Sequence, residues 1–101
     1  MNPVLVKPLC YVLELEDNNY YIGSTYNFNI RYAQHEQGMG AKWTRLHAPI
    51  SVKEIRFDCN ENQLTLEYMR LIGYKNVRGG SWCKLILNKD PTLKYLDTNK
   101  E

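Results

Sequence analysis

No two cysteines lie close enough together to read as a metal clamp: Cys10, Cys59 and Cys83 are odd in number, widely spaced and without a CxxC pair. Such a set argues against a disulfide framework and against a zinc module, and suits a reducing, intracellular compartment. Long apolar runs are missing as well. The first one is broken by Pro3, Lys7 and Pro8, which reads against a signal peptide, and no later run is long enough to cross a bilayer. A soluble protein without a membrane partner is expected. Internal repeats and low-complexity tracts are also absent. With 101 residues there is room for one domain, so residues 1–101 are expected to form a single unit. A site must then come from one small core, or be completed by a partner. Apolar residues are not in short supply: 44% hydrophobic with 24% charged is ordinary for a folded globular chain and far from disorder.

Acidic residues are missing where basic ones gather. Between Tyr68 and Lys89 there is no Asp or Glu, yet Arg70, Lys75, Arg78, Lys84 and Lys89 fall there; between Gln37 and Lys53 the same holds around Lys42 and Arg45. The net charge of +2 hides this segregation. Two acid-free basic segments suit a phosphate-binding surface, the plain alternative being solvated lysines. Arg78 is counted with the expected nucleic-acid contacts on this ground.

The pattern predicts an α+β chain. "LCYVLEL" alternates, with Leu9, Tyr11, Leu13 and Leu15 on one face, and reads as a strand. "EDNN" is a turn, and "YYIG" a second strand that closes a hairpin and brings Tyr11 near Tyr20 or Tyr21. Thr25 or Asn27 can cap a helix through "NFNIRYAQHEQ", stopped by Gly38. "GMGAKWTRLHAPI" reads as a glycine-bearing loop. "SVKEIRFDC" alternates as a third strand, and Asn60 with Gln63 caps a second helix that stops near Gly73 with Leu64, Tyr68, Leu71 and Ile72 as its apolar stripe. A Gly79-Gly80 turn follows, and a last helix opens at Asp90 with Pro91 in its first turn.

Some residues sit oddly in such a scheme. Arg31 and His35 are i and i+4 on one helix face, where a core has no use for a guanidinium and an imidazole. Glu67 lies at the edge of the second helix's apolar stripe, a costly place for a carboxylate without a partner; pairing with Arg70 or Lys75 is the ordinary alternative.

Here the chain resembles the GIY-YIG nuclease family. Leu9-Cys10-Tyr11 stands where the family has Gly-Ile-Tyr, with leucine in place of the glycine, and Tyr21-Ile22-Gly23 matches the second motif. The likeness runs through Arg31, His35 and the Gly-Ala-Lys-aromatic-Thr segment at Gly40–Thr44 to Glu67, roughly residues 9 to 70. "NVRGGSW" also resembles a stretch in proteins of this family from large DNA viruses and phages. The resemblance implies a small domain with a three-stranded antiparallel sheet flanked by helices. It implies an endonuclease that hydrolyses DNA phosphodiesters with one divalent ion, Mg²⁺ with Mn²⁺ as a substitute, in repair or recombination.

Under that resemblance Tyr11 is the general base, its phenol pulled down from an ordinary pKa of about 10 by metal and cations. Tyr21 orients water or phosphate. Arg31 steadies the transition-state phosphate with a two-pronged donor, and His35 donates a proton or accepts one from Tyr11 or the water. Glu67 holds the metal, since Mg²⁺ needs only one or two carboxylates when waters and phosphate complete its shell. Lys42, Thr44 and Arg45 grip backbone, with Trp43 for packing or base stacking; Tyr20 and Trp82 pack. Specificity is expected from a protein partner or a second copy. The alternative is an inactive nucleic-acid-binding module of the same fold, which the leucine at position 9 allows if it crowds Tyr11.

Overall fold

The computed structural model describes residues 6–94. Strand β1 (Leu9–Leu15) and strand β2 (Asn19–Thr25) form the antiparallel hairpin, with Asp17 and Asn18 both at φ 60 in its turn. Helix α1 (Phe28–Glu36) is capped by Asn27, whose side chain accepts from the Ile30 N–H. Then come α2 (Lys42–Leu46), β3 (Pro49–Arg56), α3 (Glu61–Ile72) and β4 (Val77–Gly79). Asn60 caps α3 by accepting from the Gln63 N–H, and Gly73 follows its last turn at φ 113. The Thr92 N–H bonds the Asp90 carboxylate and residues 92–94 are helical; the rest of the expected last helix lies outside the described residues.

The sheet has the order β3-β1-β2-β4, with β4 parallel to β2 and the other neighbours antiparallel. The expectation is a three-stranded antiparallel sheet with a turn at Gly79-Gly80; the fourth strand escapes it because it is three residues long and ends in the first of those glycines. That glycine is what makes the strand possible. A Cβ on Gly79 would lie 2.3 Å from the Ile22 carbonyl oxygen, so only glycine lets this backbone come alongside β2. The second correction is α2, expected as loop. It starts at Ala41 without a side-chain cap, so nothing polar marks its beginning.

The sheet divides two apolar layers. On one side Cys10, Val12 and Ile22 pack with Leu64, Leu66, Tyr68 and Met69 of α3 and with Val77. On the other, Leu9, Tyr11, Leu13, Leu15 and Tyr21 pack with Trp43 of α2 and with Phe28 and Tyr32 of α1. Full burial of each aliphatic side chain contributes roughly 1.5–3 kcal/mol. Tyr20 and Trp82 join the α3 layer, as expected of packing residues. Leu71 does not: it is 73% exposed, because α3 presents Thr65, Tyr68 and Met69 to the sheet instead.

Candidate active site

Tyr11 and Tyr21 lie on the same face of the hairpin, their ring centroids 6.3 Å apart. The residue opposite Tyr11 on β2 is Gly23, and a Cβ there would stand 2.4 Å from the Tyr11 hydroxyl oxygen. The glycine of the second motif therefore makes room for the tyrosine of the first. Leu9 is buried in the same apolar cluster as Tyr11.

From α1, His35 reaches the same place. The Tyr11 hydroxyl and His35 Nε2 are 2.7 Å apart, His35 Nδ1 and Thr44 Oγ1 are 2.8 Å apart, and the Thr44 hydroxyl donates to the Ala41 carbonyl at 2.9 Å. His35 is 1% exposed. Burial, then the neighbouring Arg31 charge, lowers its pKa to about 4, so the ring is neutral near pH 7. Both phenols are pushed up. For Tyr11 the causes are burial and then Tyr21, with Arg31 pulling the other way; for Tyr21 they are burial, then Cys83 and Glu61, again opposed by Arg31. Arg31 thus acts on both hydroxyls while its guanidinium donates to Gln34 at 2.9 Å.

A stability consequence follows. The unfolded histidine binds its proton near pH 6.5 and the folded one near 4, so between these values the unfolded chain holds more protons and stability rises with pH. Unfolding free energies from denaturant titration should fall as pH drops through that window, by about 3 kcal/mol in all. In His35→Gln the slope should be much shallower, leaving the share of carboxylates such as Glu54, held low by its bond to Arg56; a wild-type slope in the variant would assign it elsewhere.

Glu67 does not join the phenols. Directly opposed residues of neighbouring strands share a face, and Cys10 faces Arg56 while Val12 faces Glu54, so both β3 side chains lie on the α3 side. There the Glu67 carboxylate accepts from Arg56 at 2.7 Å, and Arg56 also donates to Glu54 at 2.7 Å, which Tyr68 bonds in turn. The partner of Glu67 is Arg56 rather than Arg70 or Lys75. The carboxylate whose charge is felt at Tyr11 and Tyr21 is Glu61. It accepts from Ser24 Oγ at 2.6 Å and from the Gly80 N–H at 2.9 Å, joining the start of α3 to β2 and β4. Sequence reading passed over Glu61 because a first-turn glutamate after a cap is ordinary helix chemistry. Among the described residues no three His, Cys, Asp or Glu side chains gather as a metal site. The residues as arranged do not fit a dication held by Glu67 beside the two phenols.

Two expected DNA contacts, Arg78 and Thr44, are corrected, and Trp43 takes the packing alternative. Arg78 is 3% exposed, and its guanidinium donates to the carbonyls of Lys84, Tyr74, Val77 and Leu85 at 2.6–2.9 Å with its carbon 4.3 Å over the Trp43 ring. Trp43 is buried and its indole N–H is taken by the Tyr20 carbonyl. Thr44 is buried against His35. Lys42 and Arg45 are exposed. Lys42 lines a cleft of about 680 Å³ together with Ala41, Ser81, Cys83, Lys84 and Leu85.

A buried phenol hydrogen-bonded to a neutral imidazole, within the field of the Arg31 cation, is equipment for moving a proton beside an anion. Comparison with known proteins is consistent with that class. The sequence profile of the GIY-YIG catalytic domain matches residues 7–76, and the chain belongs to this family, whose domains are in general nucleases. A UPF0213 protein of Halobacterium salinarum is 37% identical over 59 residues, 57% of this chain and 77% of that protein. One from Streptococcus pneumoniae is 46% identical over 46 residues, 46% of each chain. The chain thus spans about three-quarters of the archaeal relative and about half of the bacterial one. Neither is viral, so they lend no support to the likeness of "NVRGGSW" to viral proteins. No solved structure matches the chain significantly. Among the described residues no helix is long and apolar enough to cross a membrane.

Proposed function

We propose that this protein is a DNA endonuclease in which Tyr11 and His35 together remove a proton from the attacking water. The observation that carries the reading is the 2.7 Å bond between the Tyr11 hydroxyl and His35 Nε2, with Arg31 acting on the same oxygen. A raised phenol and a lowered imidazole disfavour a standing phenolate, so the proton moves in one relay. Water loses a proton to the Tyr11 oxygen as Tyr11 passes its own to Nε2. The water oxygen bonds phosphorus, and the departing oxygen takes a proton from solvent. An incoming phosphodiester brings negative charge that offsets the Arg31 field, one of the two causes holding His35 neutral, and so favours the imidazolium as the relay runs. Arg31 then faces the phosphate. Tyr21 steadies the water or phosphate, and Lys42 and Arg45 hold flanking backbone.

Divalent-ion dependence is proposed from family membership alone, with Mg²⁺ and, in its place, Mn²⁺. Glu67 is the candidate ligand by motif and Glu61 by position. The location of Glu67 away from the phenols favours the second reading, a nucleic-acid-binding module without turnover. One experiment separates the two: nicking of supercoiled plasmid, and cleavage of linear, flapped, forked and four-way DNA, with Mg²⁺, Mn²⁺ or EDTA. The expected result is metal-dependent nicking, lost in EDTA and in Arg31→Ala, and reduced on the order of 10²-fold or more by substitution of whichever of Glu67 (to Ala) or Glu61 (to Gln) serves the ion. DNA binding with no cutting in any metal would establish the module. Substrate preference, and any partner subunit or second copy that supplies it, would emerge from the same panel.

A further inference from the structure

We propose that Thr44 is a positioning residue that fixes which nitrogen of His35 carries the hydrogen; as a catalytic role this rests on the nuclease reading above. Its hydroxyl hydrogen is committed to the Ala41 carbonyl at 2.9 Å. Toward His35 Nδ1, 2.8 Å away, the Thr44 oxygen can therefore only accept, which requires a hydrogen on Nδ1 and leaves Nε2 bare. Bare Nε2 is the atom that faces the Tyr11 hydroxyl at 2.7 Å. The opposite tautomer would place a hydrogen on Nε2 against Tyr11, which would then have to send its own hydrogen elsewhere in a buried site. Arg31, whose charge acts on that phenol, has no lone pair to offer. The chain of donors thus runs one way, from Tyr11 through His35 to Thr44 and Ala41.

The imidazole plane is held separately from its tautomer. Rings of Tyr21 and Tyr11 lie at centroid distances of 5.1 and 5.8 Å, and a Cβ on Gly40 would stand 2.2 Å from Nδ1. Packing sets where the ring sits, and Thr44 sets which end accepts. When Nε2 takes the proton of Tyr11, the Nδ1–H bond to Thr44 becomes charge-assisted and strengthens at the moment the relay needs it. A threonine expected to grip DNA thus serves the chemistry from inside the core.

The test uses the full chain with ¹⁵N-labelled histidine, the two histidine signals being told apart with His47→Gln. In the wild type, imidazole shifts should show His35 as the Nδ1–H tautomer. In Thr44→Val, with Tm followed alongside, the signal should move to Nε2–H or to a mixture, and kcat for nicking should fall on the order of 10²-fold at unchanged KM for DNA. Thr44→Ser should restore both. A nicking protein whose His35 tautomer and kcat ignore Thr44→Val would overturn this inference alone. A protein that nicks nothing but shows the Thr44-dependent tautomer would overturn the nuclease reading and leave the tautomer assignment standing.

Discussion

Tyr11→Phe should lower single-turnover nicking by roughly 10² to 10⁴-fold while leaving DNA binding unchanged. The substitution deletes one oxygen and keeps the ring, whose packing against Phe28 at 5.4 Å and Tyr21 at 6.3 Å does not need the hydroxyl. His35 Nε2 loses its partner in a buried place, at a stability cost of about 1–3 kcal/mol. Rate and affinity should therefore separate. Nicking within a few-fold of wild type, at equal binding by fluorescence anisotropy, would remove Tyr11 from the relay. Tyr21→Phe should do less, since that hydroxyl is given no proton to pass.

Arg78→Met should act on folding rather than on DNA. The guanidinium is the donor shared by four close carbonyls, and it holds residues 84–85 against Trp43 of α2. Methionine fills similar space but leaves those oxygens short of donors. A loss of at least about 3 kcal/mol is expected, which for a domain of this size lowers Tm by roughly 12 °C or more. Below its melting point the folded variant should bind DNA with the wild-type salt dependence. Lys42→Ala and Arg45→Ala should do the reverse, leaving Tm in place and each reducing the slope of log affinity against log salt by about one. If Arg78→Met were stable but weakened DNA binding with a shallower slope, the surface role first expected of this arginine would be restored.

The pattern of what was legible has physical causes. The hairpin, α1 and α3 could be read because alternation and asparagine caps are local signals, and Asn27 and Asn60 both cap as their position suggests. The nearness of Tyr11 to a tyrosine of β2 could be read from the hairpin, whereas the approach of His35 to Tyr11 was implied only by the family resemblance, since helical spacing says which face His35 shares with Arg31 but not what that face meets. β4 and α2 were missed because one depends on the absence of a side chain at Gly79 and the other begins without a cap. The setting of Glu67 was not legible because the apolar stripe of α3 says nothing of Thr65, whose hydroxyl bonds the Glu61 carbonyl at 2.8 Å and which is fully buried. Placing Thr65 inside turns α3 about its axis, puts Leu71 in water and leaves Glu67 at the rim with Arg56. The basic segments misled for a similar reason, since charge along a sequence does not say which cation is consumed within the fold, as Arg78 is.

The alternation of β1 between two layers has one more consequence. Cys10 faces the α3 layer and Tyr11 the opposite one, so the phenol is aimed by parity and not by its neighbours' identity. Adding or deleting a single residue within β1 would send Tyr11 toward α3 and a neighbour toward His35. A one-residue change in this strand is therefore a change of face for everything beyond it, unless a bulge of the kind already present in its pairing with β3 absorbs the extra residue.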